Sequence, residues 1–337
     1  MKEALFYTKN SDNTVDCFLC NHYCHIKDEN YGICSVRLNK KGTLYSLSYG
    51  KVVAANIDPI EKKPLYHFLP GSKSYSIACV GCNFKCGFCQ NWQISQAAIA
   101  KDLSLLEYRL SPKGIVEQAL SNNCPSISYT YTEPTIYFEF AYEVAKLAKE
   151  KGLYNVFVTN GYMSRQSLQD IKPYLDAANV DLKSFSEDFY RKICKASLKP
   201  VLENIILMKK LGFWIEITTL VIPGKNDAKF ELKQIAEFIA SVDKNIPWHI
   251  SRFHPDFEFT EIEATSPESL SLAYDIAKGA GLKYVYIGNM DTDYENTICP
   301  ACNKVLIKRK GFSVESKNIN QGRCGYCEEQ IEGVWGK

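Results

Sequence analysis

From Ser74 onward the chain alternates between two hydrophobic rhythms. Short β-rich runs recur at Tyr75 to Cys79, Ile127 to Tyr131, Val156 to Thr159, Ala178 to Leu182, Ile215 to Ile222 and His249 to Phe253, and Tyr284 to Ile287 offers a seventh. Helical patterns lie between them. In Ile136 to Lys149 the residues Ala141, Val144, Ala145 and Ala148 fall at helical spacing, and Glu203 to Lys210, Lys229 to Ile239 and Pro267 to Lys278 read the same way. Strands and helices alternating at this spacing predict successive βα units, a parallel sheet and an α/β fold in the form of a partial (β/α)6 TIM-like barrel. In such folds the chemistry sits at the C-terminal ends of the strands. That rule places the loop after the first strand at the mouth, together with Glu133, Asn160, Lys183, Pro223 and His254.

The two ends of the chain follow other patterns. The first ~70 residues carry cysteines and a hairpin about Lys40-Lys41-Gly42, with glycine as the turn residue. The stretch Asp58-Pro59-Ile60-Glu61-Lys62-Lys63-Pro64 reads as a linker or cover segment, because two prolines break helix and ladder alike. After about Met290 two C-x2-C knuckles appear. The expected organisation is therefore a cysteine-rich segment over 1–70, the βα units over 71–290 and a small metal-binding module over 291–337.

Composition narrows the class. The chain has 337 residues, 46% apolar and 23% charged, as in a globular protein with a sizeable core. A formal net charge of +2 indicates no bulk attraction to nucleic acid or membrane. The N-terminal residues contain no apolar stretch of signal-peptide length, and no apolar run approaches the ~20 residues of a bilayer span. The expected location is the cytoplasm. There, fourteen cysteines are not expected to form disulfides. Cys79, Cys124 and Cys194 stand apart and read as small buried hydrophobes, while the remaining eleven fall in three groups at ligand spacing.

The central group is Cys82-Asn83-Phe84-Lys85-Cys86-Gly87-Phe88-Cys89. Three thiolates at this spacing suit three irons of a cubane 4Fe-4S cluster and leave the fourth iron open. A zinc knuckle is the competing reading, although zinc usually takes ligands in answering pairs. The N-terminal group, Cys17-x2-Cys20-x3-Cys24-x9-Cys34, interleaves His22 and His25 and suits zinc or an auxiliary Fe-S cluster. The C-terminal group, Cys299-x2-Cys302 with Cys324-x2-Cys327, is the pattern of a four-thiolate zinc ribbon. Period-two alternation puts Asp181 and Lys183 on one strand face, an acid and a base suited to a bound zwitterion.

The spacing C-x3-C-x2-C followed by Gln90-Asn91-Trp92 resembles the signature of radical S-adenosylmethionine (SAM) enzymes. The resemblance implies that the amino and carboxylate groups of SAM chelate the open iron. One electron then splits the sulfonium into methionine and a 5′-deoxyadenosyl radical, which abstracts a hydrogen atom. Tyr131-Thr132-Glu133-Pro134 takes the place of the superfamily's Gly-Gly-Glu-Pro, which binds the SAM amino group, with both glycines replaced. Thr159-Asn160-Gly161 is similar to the Asp-Thr-Asn-Gly of glycyl-radical activases, with Val158 where the aspartate stands. The likeness assigns the SAM carboxylate to Lys183, its ammonium to Asp181, the adenine to Val221-Ile222-Pro223-Gly224, and the neighbourhood of the carboxylate to His254, with His249 as a competitor.

Over nearly its whole length, including Asp58 to His67 and Tyr286-Ile287-Gly288-Asn289, the chain resembles the AmmeMemoRadiSam-system radical SAM family, relatives of pyruvate formate-lyase activating enzyme. That likeness implies an electron donor such as flavodoxin or ferredoxin, and Memo-like and AMMECR1-like partners. The expected function is reductive SAM cleavage and hydrogen abstraction from an unidentified substrate, in one version activating a glycyl-radical enzyme. A non-catalytic Fe-S/zinc adaptor is the rival from another class. A third reading is SAM-dependent methyl transfer or peptide modification with an auxiliary N-terminal cluster.

Overall fold

The apolar runs become parallel strands at the places the pattern marks. The computed structural model describes residues 1–96 and 108–336. The chain divides into two units: Met1–Asp58, Lys73–Ala178 and Cys194–Ala196 form the first, and Pro59–Ser72, Asn179–Ile193 and Ser197–Lys337 the second.

In the first unit, strand β2 (Ser126–Tyr129) lies between β1 (Lys73–Cys79) and β3 (Tyr154–Thr159), parallel to both. All four residues of β2 and the last six of β1 are buried, which is why these strands read as continuous apolar or small-residue runs without alternation. Helix α1 (Pro112–Ser121) precedes β2, with Ser111 Oγ capping its first turn by accepting the Gly114 N–H at 3.1 Å. The helix expected from Ile136 begins as a 3-10 turn, Pro134–Tyr137, and becomes α-helical in α2 (Phe138–Glu150). Its buried face is the expected stripe of Ala141, Val144, Ala145 and Ala148. Ser164 caps a third helix, α3 (Arg165–Ile171), which the sequence pattern did not mark.

The N-terminal hairpin forms between Arg37–Lys40 and Thr43–Ser46. Lys41 and Gly42 both take positive φ, 51° and 74°, the two-residue turn that matches the twist of paired strands. A second small sheet joins Tyr7–Lys9, Val15–Cys17 and Cys24–Ile26. Arg37 and Glu139, both almost fully buried, pair at 2.9 Å, and the Leu5 N–H donates to the same carboxylate oxygen at 2.8 Å. Breaking such a pair from one side leaves a buried charge uncompensated and typically costs about 3–5 kcal/mol.

The boundary between the units passes through strand β4 (Ala177–Asp181). In the second unit β6 (Trp248–Arg252) lies parallel between β5 (Trp214–Val221) and β7 (Val285–Gly288). Helices α4 (Leu198–Lys210), α5 (Lys229–Val242) and α6 (Pro267–Gly279) alternate with these strands. Helix α4 starts five residues before the expected Glu203, because Pro200 falls in its first turn, where a missing N–H costs nothing.

The stretch expected as a linker or cover segment buries Asp58, Ile60, Glu61 and Lys63. Pro59 ends a strand and Ile60–Lys62 makes one 3-10 turn, as the prolines dictate. Yet Glu61, Lys63, Leu65, Tyr66, His67 and Phe68 are all buried in the second unit. Glu216 on β5 accepts the Tyr66 and His67 N–H groups at 2.9 and 2.8 Å and the Trp214 indole N–H at 3.0 Å. The Arg309 guanidinium lies 4.2 Å from the Tyr66 ring centre and donates to the Tyr66 carbonyl at 2.8 Å. These distant partners supply the hydrogen bonds that let a polar stretch be buried. Among the described residues no helix is long and apolar enough to cross a membrane.

Candidate active site

The three-cysteine loop leaves the C-terminal end of β1 through Gly81. Its φ is +103°, and a Cβ there would lie 2.8 Å from Val36 Cγ1 and 3.2 Å from the Cys34 carbonyl, so only glycine fits. The Gly81 N–H donates to the Ile94 carbonyl at 3.0 Å and closes the loop. Cys82 Sγ accepts the Phe84 N–H at 3.3 Å, with Asn160 Nδ2 at 3.9 Å. Cys89 Sγ lies 3.2 Å from Ser95 Oγ, at the end of the short helix Trp92–Ser95. Cys86 is buried, and Cys82 and Cys89 are partly exposed. Burial pushes the Cys82 thiol well above its usual range, and the charges of Glu133, Cys86 and Cys89 raise it further. A Cys82 thiolate is favoured here beside strong positive charge, which an iron–sulfur core would supply. One amide atom, Asn83 Nδ2, is buried beside Cys82 without a protein partner. N–H donors to cluster sulfurs and nearby polar groups are what tune such a centre, so these residues fit a 4Fe-4S cluster.

Glu133 and Asn160 are brought to the same loop. One Glu133 oxygen accepts the Thr135 N–H at 3.1 Å, the Thr135 hydroxyl at 2.5 Å and the Thr159 hydroxyl at 2.8 Å. The other accepts the Asn160 N–H at 2.8 Å. Burial raises the pKa of this carboxyl, and the four donors oppose the rise. Glu133 thus ties the end of β2 to the end of β3. Asn160 Nδ2 donates to Asn83 Oδ1 at 2.7 Å, and Asn160 Oδ1 accepts the Tyr162 N–H at 3.1 Å, which closes an Asx turn over Gly161. Tyr131, which the motif likeness sets against a glycine, takes a glycine-like φ of +64°. Its hydroxyl donates to the Asp58 carboxylate and accepts from Asn56 Nδ2 at 3.3 Å, which offsets the strain of a left-handed tyrosine.

The remaining candidates belong to the second unit. Asp181 and Lys183 share one face and pair at 2.8 Å. The Lys183 N–H donates to the Tyr190 hydroxyl at 3.0 Å, and its carbonyl accepts Asn226 Nδ2 at 2.6 Å. Asn226 Oδ1 also accepts the Ile222 N–H at 2.7 Å, fixing the Pro223-Gly224 turn. His254 is exposed just after β6. His249 is buried, 2.6 Å from Glu216 and stacked on Tyr286, which makes it part of the core.

Sequence reasoning missed several contributors in the first unit. Asn83 stood inside the quoted motif but had no assigned role. His22 Nε2 lies 2.8 Å from the Asn83 carbonyl, and its ring packs 4.9 Å from that of Tyr162. No spacing rule links a histidine and an asparagine sixty-one residues apart.

The C-terminal thiols meet a different standard. The ligand atoms of Cys299, Cys302, Cys324 and Cys327 all lie within 4.8 Å of one another. Two of the sulfur pairs are 3.7 and 3.8 Å apart, the edge length of a tetrahedron with metal–sulfur bonds of about 2.3 Å. The Tyr326 N–H donates to Cys324 Sγ at 3.4 Å. This set fits one tetrahedral metal ion with no open position.

The Radical SAM superfamily model matches residues 76–239, which include the three-cysteine loop, Glu133, Asn160, Asp181 and Lys183. An uncharacterized protein of Methanocaldococcus jannaschii is 46% identical over 339 residues, covering 99% of this chain and 100% of that protein. The pyruvate formate-lyase-activating enzyme of Clostridium pasteurianum is 22% identical, covering 56% of this chain and 83% of that enzyme. Among solved structures, Streptococcus suis SuiB matches with a TM-score of 0.50 at 13% identity, covering 68% of this chain and 52% of SuiB, a likeness of fold alone. Enzymes of the superfamily use a 4Fe-4S cluster and SAM and take electrons from a reductase such as flavodoxin. An α/β chain with a central parallel sheet, and three thiols in the loop after its first parallel strand, belongs to the Radical SAM superfamily.

Proposed function

We propose that Cys82, Cys86 and Cys89 hold the SAM-cleaving cluster of an activating-enzyme-like radical SAM enzyme, built on residues 71–290. The observation that carries this reading is the bonded set at the loop. Asn160 reaches both Asn83 and the Cys82 sulfur, and Glu133 fixes the Asn160 backbone. A loop with three thiols and tightly placed amides is organised to present one open iron rather than to close a structural site. When bound, the cluster and SAM supply a one-electron cleavage that yields a hydrogen-abstracting radical. The protein's part is to position them. The family likeness assigns the ammonium of SAM to Asp181 and its carboxylate to Lys183, with His254 as the histidine of that carboxylate. Zinc in the C-terminal knuckles is structural.

The similarity to a pyruvate formate-lyase-activating enzyme favours a second, finer reading, in which the substrate is a glycine of a partner enzyme. The likeness to the AmmeMemoRadiSam system adds Memo-like and AMMECR1-like proteins as partners of this function. Mössbauer spectra of the anaerobically reconstituted protein test the main reading. Addition of SAM should change the signal of about one iron in four of the Cys82 cluster, the one without a thiolate. Spectra unchanged by SAM would count against it.

A further inference from the structure

The N-terminal cysteines converge although no function described above uses them. Cys17 and Cys24 are directly opposite each other across two antiparallel strands. A Cβ built on Gly32 would stand 3.8 Å from the sulfurs of both Cys24 and Cys34, so those two thiols flank one point. Cys20, in the turn between the strands, lies within electrostatic reach of the other three. Of the interleaved histidines, His25 is on the face opposite Cys24, is exposed, and pairs with Asp16 at 2.6 Å. His22 directs Nε2 to the Asn83 carbonyl. The ligand set is therefore the four thiols.

One buried side chain, Arg37, points to the occupant. It is 1% exposed and within electrostatic reach of Cys17, Cys34 and Cys20, and its Nε and Nη1 have no hydrogen-bond partner. A cubane held by four thiolates carries net negative charge and offers sulfur acceptors, which a buried guanidinium complements.

We propose that Cys17, Cys20, Cys24 and Cys34 hold a second 4Fe-4S cluster adjacent to the one in the Cys82 loop. Two contacts join the sites: His22 meets the carbonyl next to Cys82, and the Cys34 carbonyl meets Gly81 at the entry to the loop. The adjacency, but not the existence of the second cluster, rests on the reading of the Cys82 loop given above.

The test is iron content and electron paramagnetic resonance of the full chain, reconstituted anaerobically and reduced with dithionite. The wild type should bind about eight irons per chain. The C82A/C86A/C89A variant should keep about four irons and a reduced-cluster signal, whatever the Cys82 loop does. The C17S/C24S variant should lose about four. In the wild type, spin coupling should broaden the spectrum beyond the sum of the two variants. A C82A/C86A/C89A protein that is folded, iron-free and carries about two zinc ions per chain would overturn the second cluster, as would a wild type with about four irons. A wild-type spectrum equal to the sum of the variants would overturn the adjacency.

Discussion

The Cys82 loop and the C-terminal knuckles are both cysteine centres, and they differ in ligand number and in surroundings. The loop offers three thiols among polar groups: Asn83, Ser95 and Asn160 touch or flank them, and Glu133 lies within electrostatic reach. The knuckles offer four thiols at contact distance, and Cys299 and Cys324 sit in an apolar cluster with Tyr284, Tyr286, Ile307 and Ile331. Four equal ligands in apolar packing close a site and stabilise a small module that has little core of its own. Three ligands among oriented amides leave a place for something else to bind. In the function proposed above, this contrast is the one between a reactive centre and a structural one.

The largest effect should come from removing one ligand of the reactive centre. Cys86→Ala should lower SAM consumption to the background of iron-free protein, while far-ultraviolet circular dichroism stays that of the wild type; turnover by the variant would erase the distinction. The same operation on the structural centre should invert the outcome. Cys324→Ser should release the bound metal and lower stability by about 4 kcal/mol, read by thermal unfolding, with SAM consumption changed only a few-fold. A loss of activity without a loss of stability would show that the knuckles do more than hold structure.

A pH effect sharpens how the C-terminal module is anchored. His67 is buried between the Glu332 carbonyl at 2.7 Å and the Tyr286 hydroxyl at 2.5 Å. Tyr286 in turn meets Thr297 Oγ1 at 2.9 Å, which accepts from Arg309 at 2.8 Å. The chain is satisfied when His67 is neutral, donating from Nδ1 and accepting at Nε2. Burial lowers its pKa to about 4 from an ordinary 6.5. In that interval the unfolded chain binds a proton that the folded protein does not. Stability therefore falls as pH drops through 6.5, and His67 accounts for up to ~3 kcal/mol of loss near pH 4. Urea unfolding across this range should show a shallower pH slope for His67→Asn than for the wild type. Equal slopes would remove His67 from the account.

A smaller effect belongs to the reactive side. Glu133→Gln puts an amide N–H₂ where Thr135, Thr159 and Asn160 donate, so at least one donor loses its acceptor. The expected cost is about 2 kcal/mol in thermal unfolding, with weaker SAM binding in titration calorimetry. An unchanged stability would mean that Glu133 does not tie the two strand ends.

Much of this was readable from the sequence because its signals are local. Strand positions, the Lys41-Gly42 turn and the cysteine spacings each depend on neighbours a few residues away. The fate of the stretch Asp58 to Pro64 and of Tyr66 and His67 beyond it was less readable. Two prolines mark a linker or cover segment, yet Glu61 and Lys63 are buried, and Glu216 and Arg309, 149 to 243 residues away, complete the hydrogen bonds of Tyr66 and His67. The candidate site was legible in its residues and less so in their contacts. Glu133 and Asn160 stand where the motifs place them, yet their polar atoms engage Thr135, Thr159 and Asn83 of this chain. A left-handed tyrosine at 131 leaves no trace in the pattern, since the carboxylate that accepts its hydroxyl is that of Asp58.

The central claim is that the Cys82 loop presents one open iron to SAM, and product analysis tests it most directly. The anaerobically reconstituted protein, reduced with dithionite and given SAM, should form 5′-deoxyadenosine and methionine in equal amounts. Reconstituted protein that binds iron at the Cys82 loop, accepts the electron and leaves SAM intact would contradict the account.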